Sequence, residues 1–157
     1  LAILDAYPVP AERRADTNEA TILTTMLGEF TKVYGPIDGP PPVDMAHLRA
    51  GIVELLGRSS SELRHFDPAQ RSIILDIMIN TGHRAAWYTP ADFAGDMVLV
   101  VAARSRQDWA TPQSWRPLVR GRIDVHEVDS LHATMLDPGP AADIARLLST
   151  RISQRKE

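Results

Sequence analysis

Apolar positions along the chain follow two different periods. Leu1-Ala2-Ile3-Leu4 and Met97-Val98-Leu99-Val100-Val101-Ala102 are continuous apolar runs of strand length, and runs of that kind predict strands buried on both faces of a parallel sheet. Ile123-Asp124-Val125-His126-Glu127-Val128 alternates apolar and polar, which predicts an edge or near-edge strand. Helical spacing appears between these runs. Ile22, Leu23, Met26, Leu27, Phe30, Val33 and Tyr34 follow Asp16-x-x-Glu19, a capping-box spacing with Asp16 at the N-cap. Gly35-Pro36 stops that helix, and Gly39-Pro40-Pro41-Pro42 reads as a stiff connector. A second helix is predicted from Asp44 to Leu56 with Gly57 as its stop. Asp67-Pro68 opens a third, which carries Ile73, Ile74, Ile77 and Met78, with Gly82 ending or breaking it. Thr111-Pro112 starts a short helix containing Trp115, and a last helix from near Pro140 carries Ile144, Leu147, Leu148 and Ile152.

The predicted order is strand, three helices, strand, short helix, strand, helix. Strands separated by helices imply an α/β fold with a parallel sheet. The helical stretch 11–90 is too long for a simple crossover and reads as an insertion over the carboxyl ends of the strands, leaving 1–10 and 91–157 as the sheet core. That edge is where parallel sheets bind ligands. A buried strand at the very first residue needs neighbours, so all of 1–157 is expected to be the C-terminal portion of one longer domain.

Composition narrows the classes of function. Lys plus Arg is 17 and Asp plus Glu is 20, a net charge of −3, too balanced for a nucleic-acid or membrane-surface binder that works by bulk charge. Cysteine is absent, which removes disulfides, thiolate metal sites and cysteine nucleophiles and fits a cytoplasmic location. No apolar run approaches the roughly 20 residues of a membrane span. His126 and His132 are six apart with no third ligand in view, so no metal site is expected.

The candidate chemistry lies at the strand ends. Asp5 directly follows the first strand, where a carboxylate can accept the Nδ1 proton of an imidazole. A turn-forming role ahead of Tyr7-Pro8 is the alternative. His132 lies in the loop after the third strand, where it can serve as general base and then general acid. Asp108, after the second strand, is the rival acid. Asp5 before His132 agrees with the Ser…Asp…His order of α/β hydrolases. The nucleophile's G-x-S-x-G elbow does not occur; Gly57-Arg58-Ser59-Ser60-Ser61 ends in serine and follows a helix. Trp109 and Trp115 are read as packing at the sheet edge, Met26, Phe30 and Tyr34 as core of the helical insertion, and His47, His65 and His83 as exposed on it. His126 is assigned to its strand.

Ile3-Leu4-Asp5-Ala6-Tyr7-Pro8 resembles the Leu-Leu-Asp-Ala-Tyr-Pro segment of the thioesterase domains that end nonribosomal peptide synthetases. His132-Ala133-Thr134-Met135-Leu136 resembles their His-x-x-Met-Leu motif, and Trp115-Arg116-Pro117 before Gly121 resembles the segment ahead of their last strand. The resemblance implies a C-terminal part of an α/β-hydrolase sheet with a mainly helical lid, Asp5 as triad acid and His132 as triad base. It also implies a serine in the missing N-terminal part of the domain, and no cofactor of its own. The substrate would be a peptidyl thioester carried on the phosphopantetheine arm of an upstream peptidyl carrier domain, released by hydrolysis or macrocyclisation. Two other readings stay open: an editing or polyketide thioesterase, favoured if Asp108 is the acid, and a non-enzymatic helical interaction module.

Overall fold

The run Ala2–Leu4 (β1) pairs in parallel with Met97–Ala102 (β2), and β2 pairs in parallel with Ile123–Val128 (β3), giving the sheet order β1-β2-β3. The computed structural model describes residues 1–14, 17–58, 62–105 and 110–153. The α/β class and the parallel sheet expected from the element order are both present. The register places Leu4 beside Val100 and Val100 beside His126, so all three strands run out at one edge. Asp5, Ala103 and Asp129 each follow a strand's last residue.

The central strand explains the apolar run. Met97, Leu99 and Val101 are buried with Trp115, Val119 and Ile123 on one face. Val100 and Ala102 are buried on the other with Val128, Met135 and Ile144, the last from the helix Pro138–Ser153 (α5). Each Val, Leu, Ile or Met side chain among them, removed from water, contributes about 1.5–3 kcal/mol. β1 departs from the expectation of burial on both faces. Leu1 is half exposed and Ala2 exposed, while Ile3 and Leu4 are half-buried, because β1 has a strand partner on one side among the described residues. β3 is an edge strand as its alternation predicts, with Val125 exposed. α5 begins two residues earlier than predicted, and Ile152 at its far end is exposed rather than packed.

The chain divides into two compact units, Leu1–Pro10 with Thr89–Glu157, and Ala11–Tyr88. The second is helical: Ala11–Arg14 (α1), Glu19–Tyr34 (α2), Met45–Arg58 (α3), a 3₁₀ turn Glu62–His65 and Pro68–Trp87 (α4). Its core is Ile22, Leu23, Ile52, Leu56, Leu75 and Ile79, with Met26, Leu27 and Phe30 packed against it. The guanidinium of Arg49 on α3 joins Glu19 and Asp76 of the two neighbouring helices.

Several helix ends differ from the sequence reading. Asn18 caps α2, its side chain accepting the Thr21 N–H at 2.9 Å; Asp16 lies outside the described residues. Asp44 precedes α3 and accepts the His47 N–H at 2.9 Å, so it is a cap rather than a first helical residue. Gly57 lies inside the last turn of α3 instead of ending it. A Cβ there would sit 1.7 Å from Arg71 Nη1, and that guanidinium is pinned by bonds to the Val53 and Phe66 carbonyls at 3.0 and 3.1 Å. Asp67 caps α4 in a capping box with Gln70. α4 continues through Gly82, where the Ile22 side chain packs against the helix backbone. Its buried residues are Leu75, Ile79 and Ala86; of the apolar residues noted in the sequence, Ile74 and Met78 are half-buried and Ile73 and Ile77 exposed.

Candidate active site

Asp5 owes its position to the end of β1. Its N–H makes the last ladder bond, to the Val100 carbonyl at 2.7 Å. Its φ of 42° then turns the chain out of the sheet, and Asp5 is the one non-glycine residue with positive φ among those described. Asp tolerates the left-handed region because its short polar side chain can bond locally. Here that bond is specific. Asp5 Oδ1 accepts the Ala102 N–H at 3.2 Å, so the carboxylate meets a ladder donor of β2 after β1 has turned away. The Tyr7 hydroxyl donates to the same oxygen at 3.2 Å. With its side chain 7% exposed, the carboxylate depends on such donors, since a buried charge without them is strongly unfavourable.

The second carboxylate oxygen takes the imidazole. His132 Nδ1 lies 3.0 Å from Asp5 Oδ2, across 127 residues of sequence. An ionised carboxylate only accepts, so Nδ1 carries the proton of this bond, and in the neutral ring Nε2 carries the basic lone pair. The side chain of His132 is 60% exposed. It opens a 3₁₀ turn, His132–Thr134, and its own N–H donates to Ser105 Oγ at 2.9 Å. The loops that leave β2 and β3 are joined further by Ala103 N–H to Val128 O and Arg104 N–H to Ser130 O, each 3.0 Å. The Arg104 guanidinium makes a two-pronged bond to Asp129, both contacts 2.6 Å. This pair raises the affinity of Arg104 for its proton and lowers that of Asp129, in each case chiefly through the side-chain hydrogen bond.

The structure therefore brings Asp5 and His132 together from opposite ends of the chain. Asp108 and Trp109 lie outside the described residues, as do Ser59, Ser60 and Ser61. Trp115 is buried with Met97, Leu99 and Val101 on one face of the sheet rather than at its edge, and donates its indole N–H to the Ala6 carbonyl at 2.9 Å. His126 stays with its strand, half-buried, with Nε2 3.3 Å from Arg151 Nη2. His47 pairs with Asp44, holding that carboxyl below its ordinary range mainly through the His47 backbone N–H. His47 and His65 are exposed, whereas His83 is half-buried. Met26 and Phe30 pack against the helical core, and the Phe30 and Tyr34 rings sit 6.0 Å apart. No group of three metal-capable side chains occurs among the described residues, and no helix there is long and apolar enough to cross a membrane.

Two contacts escaped the sequence reading as individual residues. Tyr7 was visible only as a letter of a motif, although its spacing of two from Asp5 across a turn is a signal. Ser105 follows β2 at the edge where Asp5 and His132 also emerge. A hydroxyl three residues past a central strand can be noticed, but its partner cannot be read from the chain.

No family model matches this chain. It is 28% identical over 161 residues to a dimodular nonribosomal peptide synthase of Bacillus subtilis (strain 168), a match that takes in 98% of this chain and 6% of that protein. Its fold is similar to part of the crystal structure of a four-domain nonribosomal peptide synthetase in its holo form bound to AMP and glycine. There the TM-score is 0.68 at 15% identity, over 96% of this chain and 12% of the other. The chain thus spans a small fraction of the length of each synthetase it matches, and its α/β fold is one found within such a protein.

Proposed function

We propose that this chain carries the acid and base of a serine thioesterase that releases a peptidyl thioester from a carrier domain during nonribosomal peptide synthesis. The nucleophilic serine would come from sequence outside these 157 residues. One observation carries the reading: the 3.0 Å Nδ1–Oδ2 bond between His132 and Asp5, formed where parallel strands end. Similarity to a nonribosomal peptide synthase over 98% of the chain and the two strand-end motifs support the substrate class.

The chemistry follows from the tautomer. Nε2 of His132 takes the serine proton as the oxygen attacks the thioester carbonyl. Asp5 stays ionised and stabilises the imidazolium. The thiol of the phosphopantetheine arm, which is part of the substrate, leaves with that proton. His132 then activates water, giving a free acid, or a nucleophile of the peptide itself, giving a macrocycle. In this reading the helical unit Ala11–Tyr88 is the lid that limits water.

The test uses the complete domain and a soluble peptidyl thioester. His132→Ala is expected to fold with an unchanged melting temperature and to lose acyl-enzyme formation by roughly 10⁴-fold or more, followed as the added mass on the intact protein. His126→Ala should keep most of the turnover. Acylation of His132→Ala at the wild-type rate would remove the thioesterase reading.

A further inference from the structure

Resting on that reading, we infer that Ser105 is a positioning residue for His132, holding the base against its acid from the loop that leaves the strand between them. The His132 side chain is 60% exposed, so packing does not fix its ring. Hydrogen bonds hold the residue, among them Nδ1 to Asp5 at 3.0 Å and the backbone N–H to Ser105 Oγ at 2.9 Å. The second is unusual in kind. The first N–H groups of a helical turn have no partner within it, and here the partner comes from another loop, 27 residues away.

The exit of β2 acts as a common reference for both halves of the pair. Ala102 donates to Asp5 Oδ1, fixing the acid. Ala103 and Arg104 donate to the carbonyls of Val128 and Ser130, drawing the β3 loop alongside. Ser105 then accepts from His132 and completes the row. Acid and base are thus each bonded to one four-residue stretch, 102–105, and their separation is set by that stretch rather than by the two loops that bear them. Because the N–H of His132 lies at an exposed site, water can replace Ser105 Oγ when it is removed. Stability then changes little while the loop is freed to drift.

Displacement of a reacting group by about 1 Å costs up to about 10²-fold in rate. Ser105→Ala in the complete domain is therefore expected to lower kcat by about 10- to 100-fold, with KM within about twofold. Ser105→Thr, which keeps the oxygen, should restore kcat to within about threefold of wild type. The decisive measurement is a double-mutant cycle with Asp5→Asn. Without the acid, the ring has nothing to be held against, so Ser105→Ala should then cost less than about twofold. An equal loss in both backgrounds, failure of threonine to restore, or a kcat for Ser105→Ala within about threefold of wild type would each overturn the positioning role. Full turnover by His132→Ala and Asp5→Asn would instead remove the thioesterase reading, and the role of Ser105 with it.

Discussion

At the scale of single residues, Asp5 combines a backbone that few side chains accept with a buried carboxylate that needs donors. Asparagine suits the left-handed φ of 42° equally well, so Asp5→Asn is expected to fold. Under the proposed function it loses the charge that would stabilise the imidazolium and the acceptor that would set the tautomer. Turnover in the complete domain should fall by about 10³–10⁴-fold, measured as product release from a peptidyl thioester. Asp108→Asn, assayed in parallel, should cost less than about tenfold. The opposite ranking would transfer the acid to Asp108 and favour an editing enzyme. Asp5 and His132 were legible in the sequence because each follows a run of strand character and belongs to a motif. Their hydrogen bond was an expectation only, since it depends on parallel strands ending at one edge. Of the donors that hold Asp5, the Tyr7 hydroxyl is hinted at by its spacing of two, whereas the Ala102 N–H, 97 residues away, could not be read in advance.

At the scale of elements, α4 shows where periodicity misleads. Ile73, Ile74, Ile77 and Met78 form a plausible apolar face, yet the helix buries Leu75, Ile79 and Ala86. Its sequence has apolar residues around much of its circumference, so the pattern alone does not select a face. Contact with α2 and α3 does, through Ile22, Leu23, Ile52 and Leu56. Leu75→Ala should therefore cost about 2–5 kcal/mol and Ile73→Ala within about 0.5 kcal/mol of nothing, read from denaturant unfolding. Equal losses would show that Ile73 contributes to the core as much as Leu75 does. α2 and β2 were easier. The first has a single clear stripe, and the second is a β-branched run that can only be buried on both faces. Gly57 looked like a stop and proved to be a site of close approach, because glycine serves both ends and only the neighbour, Arg71, tells them apart.

At the scale of the whole molecule, acid should weaken the fold in a predictable window. Asp44 and Asp129 both hold their carboxyls below the ordinary value, the first chiefly through the His47 backbone N–H, the second chiefly through Arg104. The unfolded chain then binds more protons than the folded one near pH 4, so stability rises with pH there. This contribution is complete above the ordinary carboxylate range and is lost as pH falls through the lowered values. Melting temperature measured between about pH 6 and pH 2.5 should fall less steeply for Asp129→Asn than for wild type below about pH 4. Molar salt should shrink the difference, since the Arg104–Asp129 pair is exposed. Parallel curves would show that the pair contributes nothing.

By itself the sequence determined the class of fold and the order of its main elements, and offered Asp5 and His132 as candidates, because strand and helix periods, Pro-Gly punctuation and short motifs are local properties of the chain; the short helix Ala11–Arg14 it did not announce. Tertiary structure decided which face of α4 turns inward and which residue caps α2. It also decided that β1 is half-buried, and that the exit of β2 bonds both Asp5 and His132. These depend on which surfaces and which unpaired N–H groups meet across large sequence separations, and no local pattern encodes a partner 97 or 127 residues away.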